Sequence, residues 1–184
     1  MTRSSDLTPS LSDCDAERLL DATRRAEAWI LVDRHGKVRF RITGPERRLL
    51  YVLAIEHGLR LSDLRSLRTT SFNFDADVAT VSVAKRSGTR VLVECRPLRT
   101  TTAITLVEYL RPLEPGARAF RLPPKSMIDA ALRADLAAVG LCLGADDNAE
   151  VGFSSLVRAF ERRRAECACW PLFPPQCVSS DSVD

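Results

Sequence analysis

Histidine and tyrosine are scarce in this chain: 184 residues hold only His35, His57, Tyr51 and Tyr109. Long apolar runs are missing as well. No segment approaches the roughly 18 to 20 apolar residues that cross a bilayer, and the first dozen residues lack the apolar stretch of a secretory signal. No membrane partner is therefore expected, and the chain is expected to be cytoplasmic. The cysteines do not form metal-binding pairs. Cys14, Cys95, Cys142, Cys167, Cys169 and Cys177 are scattered, Cys167-Ala-Cys169 has no histidine near it, and no C-x-x-C spacing occurs. This excludes the usual zinc spacings. Free thiols in a reducing compartment are expected, with no metal and no other cofactor. Extreme charge is lacking too. Lys and Arg number 27 against 24 Asp and Glu, a net +3, which excludes a histone-like polycation and is compatible with an anionic partner. No internal repeat or low-complexity block interrupts the chain.

What is present is ordinary globular composition, 45% hydrophobic and 28% charged, in a chain long enough for one core. Residues 1–10 read as a flexible N-terminus, 11–164 as a single domain and 165–184 as a poorly ordered tail, because Trp170-Pro-Leu-Phe-Pro-Pro175 has neither period nor cap. A helix is predicted from Ser12 to Ala28. Trp29–Val32 and Val38–Ile42 then form strands about a His35-Gly36 turn. Thr43-Gly-Pro-Glu46 is a helix start: Thr43 caps, Glu46 reaches back, and Pro45 has no N–H to waste. That helix buries Leu49, Leu50, Val52, Leu53 and Ile55, with Tyr51 packed on its face, and stops near Gly58.

A short helix is predicted over Asp63–Leu67. Val78–Val83 alternates as a strand, Ser87-Gly88 turns, and Arg90–Cys95 returns. Two helices follow, over Thr100–Arg111 and Lys125–Val139, the second with Ile128, Ala131, Leu132, Leu136 and Val139 at steps of three or four. Gly140–Gly152 reads as irregular, and Phe153, Leu156 and Phe160 stripe a last helix whose Arg162-Arg163-Arg164 end is expected to be solvated. The fold class is α+β, mostly α, with a small antiparallel β-hairpin or sheet.

The most informative stretch is Gly58-Leu-Arg60-Leu-Ser-Asp63-Leu64, together with Lys85 near a hairpin tip. Exchanging DNA strands needs cations that hold charge on the non-bridging phosphate oxygens and an acid that protonates the leaving oxygen. An arginine fork grips two oxygens at once and stays charged. A flexible lysine ammonium can reach into a groove and deliver a proton.

In these blocks the sequence resembles the catalytic domain of the tyrosine recombinases, the phage-integrase family. Thr43–Tyr51, His57–Leu67, the hairpin of Lys85, and Arg133–Gly140 leading to Phe153–Phe160 match in order. The resemblance implies a tyrosine-recombinase-like helical domain with DNA as partner and site-specific DNA integration, or strand breakage and rejoining, as ancestral activity. Arg60 would be the first catalytic arginine, Asp63 its supporting acid and Lys85 the hairpin general acid, with Arg86 as the adjacent alternative.

The last block departs from the family's His-x-Leu-Arg-His-x-Phe. Ser154 stands at the first histidine, Val157 at the arginine and Arg158 at the second histidine, so positive charge returns only one position along, about 100° around the helix. Both tyrosines precede this block, where the family's nucleophile follows it. The resemblance thus implies a truncated, degenerate and catalytically defective copy, acting through DNA contact or alongside intact recombinase subunits. A non-enzymatic DNA-binding or regulatory module and a decayed gene product are the alternatives.

Overall fold

The computed structural model describes residues 11–87, 90–141 and 151–166. The expected flexible start at 1–10, most of the irregular stretch 140–152, and the expected tail with Cys167, Cys169 and Cys177 lie outside the described residues. What is described divides into two compact units, one of residues 11–60, 123–141 and 151–166, the other of residues 61–87 and 90–122.

The first unit is built on a buried helix. Its elements are α1 (Asp13–Arg25), the hairpin strands β1 (Trp29–Val32) and β2 (Val38–Ile42), and the helix α2 (Gly44–His57). The capping box at Thr43 forms as the sequence predicts: Glu46 N–H donates to Thr43 Oγ1 at 3.3 Å, and Thr43 N–H donates to Glu46 Oε2 at 2.6 Å. From Leu49 to Ile55 every residue of α2 is buried, the mark of a helix surrounded on all sides rather than facing water along one stripe. Leu19 and Leu11 from the α1 side and, farther along the chain, Phe153 and Leu156 are also fully buried, each large apolar side chain contributing about 1.5–3 kcal/mol. The α5 (Lys125–Ala138) and α6 (Phe153–Glu166) helices complete the unit, and the Tyr51 and Phe153 rings meet tilted at 6.3 Å.

Helix α2 ends where glycine allows it. Gly58 has φ +63° and its N–H donates to Ala54 O at 3.1 Å, the 5→1 bond of an αL cap, while Leu59 N–H donates to Leu53 O at 3.2 Å. A Cβ at Gly58 would stand 2.4 Å from the Phe160 ring. Both backbone conformation and space therefore require glycine there.

The second unit holds the short helix α3 (Leu61–Ser66), a three-stranded antiparallel sheet of β3 (Phe72–Asn73), β4 (Thr80–Ser87) and β5 (Arg90–Pro97) in that order, and helix α4 (Thr100–Leu110). Val81 and Val83 are fully buried on one face of β4, as period-two alternation predicts. The 3₁₀ turn Thr69–Ser71 and β3 go beyond what the sequence predicts. They are too short to show a period, and β3 makes only two pairs, Phe72 with Val81 and Asn73 with Thr80. Farther along, β4 and β5 leave the core: Ala84 and Lys85, Val93 and Leu92 opposite them, and the next residue Val91 are exposed. The α-rich α+β class holds.

Candidate functional site

Arg60 stands two residues beyond the αL cap Gly58 of α2 and lies in the first unit. The close approach of Gly58 to Phe160 brings this end of α2 against α6, and an Arg60 nitrogen reaches Glu161 Oε1 at 3.6 Å. Both side chains are more than half exposed, so solvent screens the attraction and it anchors little. Asp63 lies in the first turn of α3, in the second unit.

Lys85 is on β4, paired in register with Leu92, while Glu94 stands opposite Val83. Two residues along the partner strand is within reach of a long side chain, and the Lys85 ammonium closes an ion pair with Glu94. Arg96 approaches the same carboxylate from its own strand, its Nε donating to Oε1 at 3.1 Å and Nη2 to Oε2 at 3.2 Å. Partial burial pushes the Glu94 pKa upward, but the bonds from Arg96 and Lys85 outweigh it and bring the group down to about 2. The hairpin lysine is thus held by a carboxylate, the kind of group with which a phosphate would compete. The side chain of the alternative, Arg86, lies outside the described residues.

On α6 the degenerate positions take different environments. Ser154 and Arg158 are exposed, and Val157 is buried at 5% relative exposure. The Arg162–Arg164 end of this helix is not simply solvated: Arg162 donates to the Leu11 carbonyl at 3.3 Å, and Arg163 pairs with Asp13, tying α6 to the start of α1. Asp129 of α5 accepts from Phe153 N–H at 2.8 Å and so caps α6, while its other oxygen takes the Lys125 ammonium.

Sequence reasoning missed a buried polar cluster in the first unit. Arg47 on α2 meets Asp135 on α5 as a two-pronged pair, Nε to Oδ2 at 2.8 Å and Nη2 to Oδ1 at 2.9 Å, and its Nη1 donates to the carbonyls of Glu27 and Ile42 at 3.0 and 3.3 Å. Tyr51 Oη donates to Asp135 Oδ2 at 3.0 Å. Burial first, then the neighbouring Asp135 carboxylate, raises the Tyr51 pKa far above its ordinary value. A hydroxyl so placed does not ionise at neutral pH. Tyr109 is half-buried and stacks on Phe120 at 5.5 Å. Both tyrosines therefore pack as helix residues, as the sequence suggested.

No protein-family model matches the sequence, and no curated protein does. Solved structures do. The XerH site-specific recombinase bound to difH substrate in a pre-cleavage complex superposes with a TM-score of 0.59 at 16% identity, over 85% of this chain and 44% of that one. Its post-cleavage complex with palindromic difH gives 0.60 at 17%, over 89% and 46%. The Tn1549 transposon integrase in complex with circular intermediate DNA gives 0.58 at 11%, over 93% and 57%. The chain thus spans less than half the length of the XerH chains. These likenesses show the fold: a tyrosine-recombinase-like domain, mostly helical, with a small antiparallel sheet.

Proposed function

We propose that this chain is a DNA-binding domain of recombinase fold that contacts duplex phosphates through Arg60 and Lys85, supported by Asp63, and does not cleave DNA. The observation that carries the reading is the contrast on one scaffold. The chain folds like proteins solved on their DNA substrates, yet α6 carries Val157, buried, and Ser154, exposed, where the resemblance calls for arginine and histidine. An oxyanion-stabilising cation removed from such a site costs about 10² to 10³ in rate. The surroundings of the tyrosines support this: Tyr51 is fully buried and hydrogen-bonded to Asp135, and Tyr109 stacks on Phe120. On this reading the chain works in the cytoplasm, on DNA and beside intact recombinase subunits, and needs no cofactor.

Titration of a labelled duplex at 50 and 200 mM salt tests it. Each phosphate that the protein neutralises makes binding about 3.5-fold weaker at the higher salt. Affinity that falls with salt and drops further in Arg60→Gln and Lys85→Gln supports the reading, while affinity indifferent to salt overturns it. A nicked suicide duplex is expected to give no denaturant-resistant adduct; an adduct abolished by Tyr51→Phe or Tyr109→Phe would make this a working enzyme.

A further inference from the structure

The β1–β2 hairpin is strongly basic for its length. Residues 29–42 carry Arg34, Lys37, Arg39 and Arg41 against one acid, Asp33, which is 4 − 1 = +3; the whole chain is 27 − 24 = +3. The other 170 residues therefore sum to zero.

The hairpin is built to present that charge. Strands β1 and β2 form a two-stranded sheet of their own, in register Trp29 with Ile42, Ile30 with Arg41 and Leu31 with Phe40. Period two sends Phe40 and the buried Ile42 to one face and Arg39 and Arg41 to the other, where both are exposed and Ile30 opposite Arg41 is 52% exposed. At the tip, Asp33 accepts from the N–H groups of His35 and Lys37 at 2.9 and 3.0 Å and pairs with Arg39 at 2.9 Å. The one acid is thereby consumed in shaping the turn, and Arg34 and Lys37 are displayed beside it. A two-stranded ribbon fits the major groove of B-DNA.

We infer that the β1–β2 hairpin is a second nucleic-acid contact, a basic ribbon that engages duplex phosphates through Arg34, Lys37 and Arg41 independently of Arg60 and Lys85. It rests on the reading that this chain binds DNA, and adds a surface that reading does not use. Arg39 is left to its structural pairing with Asp33.

The experiment compares the full chain with Arg34→Gln/Lys37→Gln/Arg41→Gln, with an equal charge loss elsewhere (Arg24→Gln/Arg111→Gln/Arg121→Gln, all exposed), and with Arg60→Gln/Lys85→Gln. The expected result is a salt slope lower by about 2 to 3 in the hairpin variant, at roughly 0.9 per phosphate contact, and affinity at 50 mM salt reduced at least tenfold. The control triple is expected to change affinity less than threefold. Circular dichroism melting of each variant checks that the fold survives. Equal losses in hairpin and control triples would overturn the inference, as would wild-type affinity in the hairpin variant while Arg60→Gln/Lys85→Gln weakens; the phosphate-site reading would then stand alone. Hairpin-dependent binding to anionic vesicles with none to duplex would overturn it in favour of a membrane surface. No duplex binding by the wild type would remove both readings together.

Discussion

Replacing Asp135 with alanine leaves a guanidinium in the core without its counter-ion. In the native unit Arg47, Asp135 and Tyr51 are 3%, 6% and 0% exposed, and the carboxylate accepts three of their hydrogen bonds at 2.8 to 3.0 Å. Breaking a buried pair by removing one partner costs about 3–5 kcal/mol. Arg47 keeps the carbonyls of Glu27 and Ile42, so the lower end, about 3 kcal/mol, is expected. At about 2–4 °C per kcal/mol for a chain of this size, the midpoint falls by about 6–12 °C. In urea the midpoint moves with little change of slope. Tyr51→Phe, which removes one hydrogen bond and keeps the ring against Phe153, is expected to cost about 1 kcal/mol. The discriminating variant is Arg47→Met/Tyr51→Phe/Asp135→Leu. If the loss in Asp135→Ala is an orphaned charge, this apolar triple restores most of it, because well-packed replacements of buried ion pairs are often neutral. A triple as unstable as the single variant, or an Asp135→Ala protein within about 1 kcal/mol of wild type, would refute the reasoning.

Three further outcomes are expected. Glu94 has a folded pKa of about 2 against an ordinary 4.5. Its ionised form therefore adds stability that is fully present above pH 4.5 and disappears as pH falls towards 2. The urea-midpoint difference between wild type and Glu94→Gln is thus constant above about pH 5 and shrinks below; a difference that ignores pH would contradict the ion-pair account. Thr43→Ala removes the helix cap and is expected to cost about 1 kcal/mol, measured by thermal melting. Asp129→Ala strips the carboxylate that accepts from Phe153 N–H and is expected to cost about 1–3 kcal/mol, with faster amide exchange in the first turn of α6 if the cap works as described.

Where the chain announces its own boundaries, sequence was enough. The capping box of Thr43 and Glu46, the glycine turn at Gly36 and the helix stop at Gly58 are local devices, and each stands at its expected place. The Arg47–Asp135 pair spans 88 positions, beyond any local rule, yet a signal existed. Arg47 lies three and four residues before Leu50 and Tyr51, and Asp135 lies on the stripe of Ile128, Ala131 and Leu132. Opposite charges on the buried stripes of two helices point to each other. Glu94 was legible in part, since fixing the hairpin register places it diagonal to Lys85. Which unit supplies each proposed phosphate contact follows from long-range packing alone.

Gly58 offers a different lesson. Its left-handed turn and the absence of a Cβ let the end of α2 sit on the Phe160 ring, and that contact sets the position of the backbone from which Arg60 springs. None of this depends on what Arg60 does, nor on which residues stand at 154, 157 and 158. The shape that aims the side chain and the chemistry performed at its end therefore rest on different residues. A side chain placed at position 60 or on the exposed face of α6 can therefore be exchanged without rebuilding the backbone that carries it.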